Sequence, residues 1–191
     1  AHTDLLKVAS CSANDWPLLT RVSQSNISVV ASTGGLKVSD IDNLVSFFRH
    51  RAVDFSLMHC ISVYPTNPKD CNLSFINTLK KRYPNLSIGW STHEPPRDND
   101  LVIAAISRGA DLLERHICLP TKEKPQNGYS STPIELQNWL NKINLTHQIL
   151  GDASLKERVE IIREECETAV REGCSTLILS DKKCLFLKKG T

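Results

Sequence analysis

Leu112-Leu113-Glu114-Arg115-His116 opens as a buried strand and breaks off into an acid, a guanidinium and an imidazole. An apolar run that ends so abruptly in chemistry marks a strand end facing a site. One strand–helix unit earlier, Ile88-Gly89-Trp90-Ser91-Thr92-His93 has the same form and also ends on a histidine. In an α/β barrel the strand ends of one face supply the active site, so His93 and His116 are expected to converge and could hold one metal ion. A lone histidine is more often structural; its repetition on successive strands points to a ligand pair.

Working outward, the same unit recurs. A short apolar strand over 5–9 is followed by a helix that Asn14 can cap, running to about Ser23 with Leu18, Leu19 and Val22 inward. A β-branched strand over 27–31 ends in Ser32-Thr33-Gly34-Gly35, and Ser39 or Asp40 caps a helix carrying Ile41, Leu44, Val45 and Phe48 at helical spacing. The spacing predicts a strand over 54–59, a proline-rich loop at Tyr64-Pro65-Thr66-Asn67-Pro68, a helix with Leu73, Ile76 and Leu79, and a strand over 87–90. A helix over 101–108 closed by Gly109 then leads into the strand over 112–115. Thr132-Pro133-Ile134-Glu135 is a capping box with proline at the first helical position, opening a helix with Trp139, Leu140 and Ile143 on one face up to Gly151.

Five strands alternating with helices imply a parallel sheet with right-handed crossovers, covered on both faces. An open doubly wound sheet would also fit, but polar residues recur at the strand ends: Ser10 and Ser12, Ser32 and Thr33, His59 and Ser62, Ser91 and His93, Glu114 and His116. This favours an α/β fold of partial TIM-barrel type, about five strand–helix units around a central site. Such a segment leaves edge strands and an inner face uncovered, which predicts marginal stability. After Gly151 the pattern changes. Ser154-x-x-Glu157 is another capping-box match, with Val159, Ile162, Cys166 and Val170 on one face, followed by two expected strands over 176–179 and 184–187. These are one more barrel unit or the entry to a second domain.

Composition narrows the function. With 191 residues and 40% hydrophobic content the chain can bury a real core. A net charge of +2 without a Lys/Arg block predicts no nucleic-acid partner. No apolar run reaches the roughly 18 residues of a membrane span, and Ala1-His2-Thr3-Asp4 is no signal peptide, so a soluble cytoplasmic protein without a membrane partner is expected. Seven cysteines without CxxC pairs argue against a disulfide framework or a zinc knuckle; Cys11, Cys60 and Cys118 read as reduced, small core residues.

Several segments together resemble the sialic acid synthase (N-acetylneuraminate synthase) family: Lys7-Val8-Ala9-Ser10, Ala31-Ser32-Thr33-Gly34, Leu57-Met58-His59-Cys60 with Tyr64-Pro65-Thr66, Gly89-Trp90-Ser91-Thr92-His93, and Gly109-Ala110 leading to Leu113-Glu114-Arg115-His116. The resemblance implies the last five units of a TIM barrel over 1–151, and over 152–191 a linker and the beginning of an antifreeze-like domain. It implies condensation of phosphoenolpyruvate with N-acetylmannosamine, a related amino sugar or its 6-phosphate, in a protein that is a homodimer at full length. It makes His93 and His116 ligands of a divalent ion, Mn²⁺ or Mg²⁺. It gives Lys7, Ser10, Ser32 and Ser91 to phosphoenolpyruvate, sets Ser62, Tyr64 and Asn127 near the sugar, and makes Lys7 and Tyr64 catalytic. The chain departs from the family pattern at Ser12, Ser62, Thr92 and the Gln126-Asn127-Gly128 segment, positions that bear on the sugar more than on the metal. A barrel remnant that binds a sugar or protein partner without catalysis is the alternative. Were Lys7 inward-facing, it would meet the hydroxyls of Ser10, Ser32 and Ser91.

Overall fold

A computed structural model describes residues 3–151, 166, 168–180 and 184–188. Five parallel strands stand side by side in chain order: β1 (Leu5–Val8), β2 (Ser28–Ser32), β3 (Phe55–Cys60), β4 (Ile88–Thr92) and β5 (Leu112–His116). The connections carry α1 (Trp16–Ser23), α2 (Val38–His50), α3 (Ser74–Arg82) and α4 (Asp100–Ser107), and α5 (Pro133–Leu150) follows β5. In a flat sheet β1 and β5 would be roughly 19 Å apart, at about 4.8 Å per strand. Yet Lys7 Nζ on β1 lies 2.6 Å from Glu114 Oε2 on β5, a gap that only a curled half-barrel closes.

The period of two along each strand sorts the side chains. Val29, Ala31, Leu57, Ile88, Trp90 and Leu113 pack with Leu44, Phe48, Ile76, Leu79, Leu136 and Trp139 in the layer between sheet and helices. The opposite, concave face has a small apolar floor of Val30 and Met58 with Leu5 and Leu112. Two residues further along the same faces come Lys7, Ser32, Cys60 and Glu114, and then His116; the alternation in β4 puts Gly89, Ser91 and His93 there too. At Gly89 a Cβ would sit 2.6 Å from the Leu112 carbonyl oxygen and overlap Met58 Sδ. Gly89→Ala is therefore expected to lower stability by about 1–3 kcal/mol, read as a fall in the urea midpoint at unchanged slope.

The helix ends follow local chemistry. Thr132 and Glu135 form the expected capping box, and Gly151 closes α5 at φ 92°. α1 is capped by the carboxylate of Asp15, one residue later than the Asn14 expected, and Leu19 is buried while Leu18 is exposed. α2 begins at Val38, with Asp40 inside its first turn rather than at the cap. Both β4 and β5 run past the apolar stretch, to Thr92 and His116, because a ladder pairs backbone irrespective of side-chain polarity; Thr92 pairs with Arg115, and His116 with Thr176 of the C-terminal segment.

His59 is corrected by the same alternation. It faces the helix layer between Phe75 and Trp90, and its Nε2–H donates to the Cys71 carbonyl at 2.9 Å. Burial holds its imidazole below the ordinary 6.5, so its contribution is complete above that value and is lost as pH falls through it. His59→Gln, which keeps an N–H for Cys71, is expected to flatten the loss of unfolding free energy as pH falls below about 6.5 in urea titrations. Cys11 is exposed and Cys118 half-buried, so only Cys60 of the three is a core residue; all three are free thiols.

Beyond α5, β6 (Cys174–Ser180) pairs antiparallel with β5, and β7 (Cys184–Lys188) antiparallel with β6. This segment is therefore not a further parallel unit, and it covers the edge of β5 that was expected to be open. Most of the helix expected from Ser154 lies outside the described residues; Cys166 is buried and Val170 packs on the core. Among the described residues no helix is long and apolar enough to cross a membrane.

Candidate functional site

At the C-terminal end of the concave face, the close of β1, β2 and β3 forms a hydroxyl cluster. Ser10 Oγ accepts from the Gly34 amide at 3.0 Å and lies 3.0 Å from Cys60 Sγ. A Cβ on Gly34 would strike Ser62, Cys60 and Ser10 together, so glycine is what lets these three side chains meet. Ser32 Oγ is buried without a hydrogen-bond partner, and Ser91 is equally enclosed. A buried hydroxyl lacking a partner is costly, and its position among others of its kind suits an oxyanion.

Lys7 shares this face, but its ammonium is taken by Glu114, at 2.8 and 2.6 Å from the two carboxylate oxygens. The expectation that it meets the serine hydroxyls gives way to this pair, because Glu114 is a stronger partner on the same concave surface. Asn127 lies in the loop between β5 and α5. Its amide oxygen accepts from the backbone N–H groups of Tyr129 and Ser130 and is committed to its own loop.

His93 and His116 do come together, with ring centroids 5.3 Å apart. His93 Nδ1–H donates to the Ile61 carbonyl at 2.9 Å, which fixes the ring and leaves Nε2 as the lone-pair nitrogen. Burial lowers both imidazoles; His116 falls to about 4, its neighbour His93 adding to the effect while Glu114 opposes it. Two neutral, oriented imidazoles could serve as nitrogen donors to a divalent ion. No group of three or more His, Cys, Asp and Glu side chains suited to a metal occurs among the described residues; the two imidazoles could be no more than part of a shell.

Two tyrosines flank the pair. Tyr64 lies 4.2 Å from His93 and 5.2 Å from Tyr129, and Tyr129 lies 5.2 Å from His116, all centroid to centroid. Burial raises the Tyr64 phenol above its ordinary value, keeping it a neutral donor.

Behind the histidines, their chain neighbours Glu94 and Arg115 form a fully buried ion pair at 2.7 Å. Arg115 Nε also donates to Ser131 Oγ at 2.6 Å, and its guanidinium lies over the Trp139 ring. The pair ties the end of β4 to β5 and to the start of α5, holding His93 and His116 in register.

Sequence reasoning counted Glu114 among the strand-end polar residues without giving it a partner, read Cys60 as a core residue and gave Tyr129 no role. Glu114 was legible, since it stands two residues before His116 and a strand repeats its face at that interval. Tyr129 had no such signal, because loop conformation has no period.

The NeuB family matches residues 1–155. An N-acetylneuraminate-9-phosphate synthase of Drosophila melanogaster is 39% identical over 99% of this chain and 55% of its own length. The N-acetylneuraminate-9-phosphate synthase of Homo sapiens is 30% identical over 78% of this chain and 42% of its own. The crystal structure of N-acetylneuraminic acid (sialic acid) synthetase from Leptospira borgpetersenii superposes with a TM-score of 0.72 at 32% identity, covering 87% of this chain and 57% of that one. The chain thus spans about half the length of the curated relatives it matches.

Proposed function

Because this chain belongs to the NeuB family, we propose that it forms part of an enzyme of sialic or nonulosonic acid synthesis. In this reading it condenses phosphoenolpyruvate with N-acetylmannosamine, a related N-acetylated amino sugar or its 6-phosphate. The observation that carries the proposal is the gathering of an ammonium, a partnerless serine hydroxyl and two neutral imidazoles on one concave face.

Phosphoenolpyruvate brings a phosphate and a carboxylate. Lys7 supplies the cation, and Ser10, Ser32 and Ser91 supply neutral donors that need no counter-ion. Ser62 and Tyr64 lie toward the sugar, with the Tyr64 phenol as a neutral donor to its oxygens. His93 and His116 would hold Mn²⁺ or Mg²⁺. An ion held there would supply Lewis-acid polarisation to the acceptor carbonyl. The reading carries with it a homodimeric full-length enzyme at work in the cytoplasm.

The test is mass-spectrometric detection of a nonulosonic acid, with stoichiometric phosphate, from phosphoenolpyruvate, Mn²⁺ and either N-acetylmannosamine or its 6-phosphate. Release of phosphate without a new carbon–carbon bond, or binding without turnover by the full-length protein, would overturn it. His93→Ala and His116→Ala are each expected to weaken Mn²⁺ binding by at least about tenfold, the lower scale for disturbing a ligand shell, as read by electron paramagnetic resonance.

A further inference from the structure

Two loops from different strands meet above the imidazole pair. The loop after β3 brings Tyr64 and Pro65, the loop after β5 brings Gly128 and Tyr129, and a Cβ on Gly128 would lie 3.5 Å from the Pro65 ring. The second loop is held from within. Gln126 Nε2 donates to the Ser130 carbonyl at 2.8 Å and to Glu135 at 2.6 Å, where Glu135 also caps α5. Asn127 Oδ1 takes the amides of Tyr129 and Ser130. The polar side-chain atoms of Gln126 and Asn127 named here therefore build the loop, and what the loop presents at its tip is the ring of Tyr129.

That ring is steeply inclined to His116 at 80° and to His93 at 86°, and tilted to Tyr64 at 61°. Tyr64 is 51% exposed and Tyr129 only partly buried, so the pair offers aromatic surface to solvent beside the imidazoles. Aromatic surface held rigidly next to polar groups binds C–H faces and methyl groups, whose contact with water it removes.

We propose that Tyr129 is a specificity-determining residue: with Tyr64 it forms an aromatic wall against the apolar side of the acceptor, its N-acyl methyl and adjoining C–H groups. This rests on the reading of the acceptor as an N-acylated amino sugar. A loop that recognises its ligand through a ring selects for the acyl group and its bulk.

The experiment uses the full-length protein with Tyr129→Ala and Tyr129→Phe, each first matched to wild type by thermal unfolding. Tyr129→Ala is expected to raise KM for N-acetylmannosamine at least about tenfold, the scale of an aromatic contact of about 1.4 kcal/mol. The phosphoenolpyruvate KM and Mn²⁺ affinity should stay within about twofold of wild type, and Tyr129→Phe should restore the acceptor KM. Saturation-transfer NMR on the acetyl methyl should lose its signal in the alanine variant alone. An unchanged acceptor KM and methyl signal, or parallel losses for acceptor, phosphoenolpyruvate and Mn²⁺, would overturn the proposal. Saturation transfer to the methyl in a wild type that does not turn over would refute the synthase reading and leave the Tyr129 comparison decisive on binding. A wild type showing no saturation transfer to the acyl methyl of any N-acyl hexosamine would overturn the inference itself.

Discussion

Replacing Arg115 with methionine is expected to cost about 3–5 kcal/mol of folding stability, the scale for stranding one partner of a buried ion pair. Both side chains of the Glu94–Arg115 pair are fully buried, and one oxygen of Glu94 already lacks a hydrogen-bond partner. Methionine fills much of the arginine volume, so the loss is electrostatic rather than a cavity effect. Burial pushes the Glu94 carboxyl up from its ordinary 4.5, and Arg115 is the main group opposing that rise. Without Arg115 the folded-state value climbs further above the unfolded one. The folded variant is then relatively favoured below the unfolded value, and loses ground as pH rises through the folded value. The deficit against wild type should accordingly be smaller at about pH 4.5 than at about pH 7.5 in urea titrations. The double variant Arg115→Met with Glu94→Leu should recover most of it, since an apolar pair of similar volume is tolerated. A single variant within about 1 kcal/mol of wild type at neutral pH would show that the pair contributes no more than a surface one.

Lys7→Met in the full-length protein should weaken phosphoenolpyruvate binding by at least about 2 kcal/mol, the scale of a lost charged hydrogen bond. Mn²⁺ binding through His93 and His116 should stay nearly unchanged. The substitution also releases Glu114, whose carboxylate then stands uncompensated on the face where an anion must bind. Glu114→Gln separates the two effects, because it keeps the ammonium and removes the competing charge; phosphoenolpyruvate affinity should hold or rise in that variant. Calorimetric titration of each ligand against the three proteins decides the matter. Unchanged phosphoenolpyruvate affinity in Lys7→Met, or equal loss of both ligands, would remove Lys7 from the site.

The fold was legible because its signals repeat. Apolar strands followed by helices, with polar residues at the strand ends, recur five times, and the pairing of His93 with His116 followed from that repetition alone. Direction along a strand was legible in principle and was missed where residue type outweighed parity: His59 was grouped with the site although Leu57, two residues before it, faces the helices. Partner choice was not legible. That Lys7 meets Glu114 depends on how far the sheet curls, a property of the sheet as a whole that no local window contains. Loop identity failed in the same way. The departures at Gln126 and Asn127 drew attention to polar recognition, whereas those side chains build the turn that carries Tyr129.

The Lys7–Glu114 contact joins the first and fifth strands, and it does so with the one ammonium that an incoming anion would also seek. Curvature and occupancy are thereby thermodynamically linked: an anion that draws Lys7 away loosens the clasp between β1 and β5, and whatever tightens the sheet raises the threshold for the anion. The sheet's shape is in this sense a competitor for the ligand, with Glu114 as its binding group.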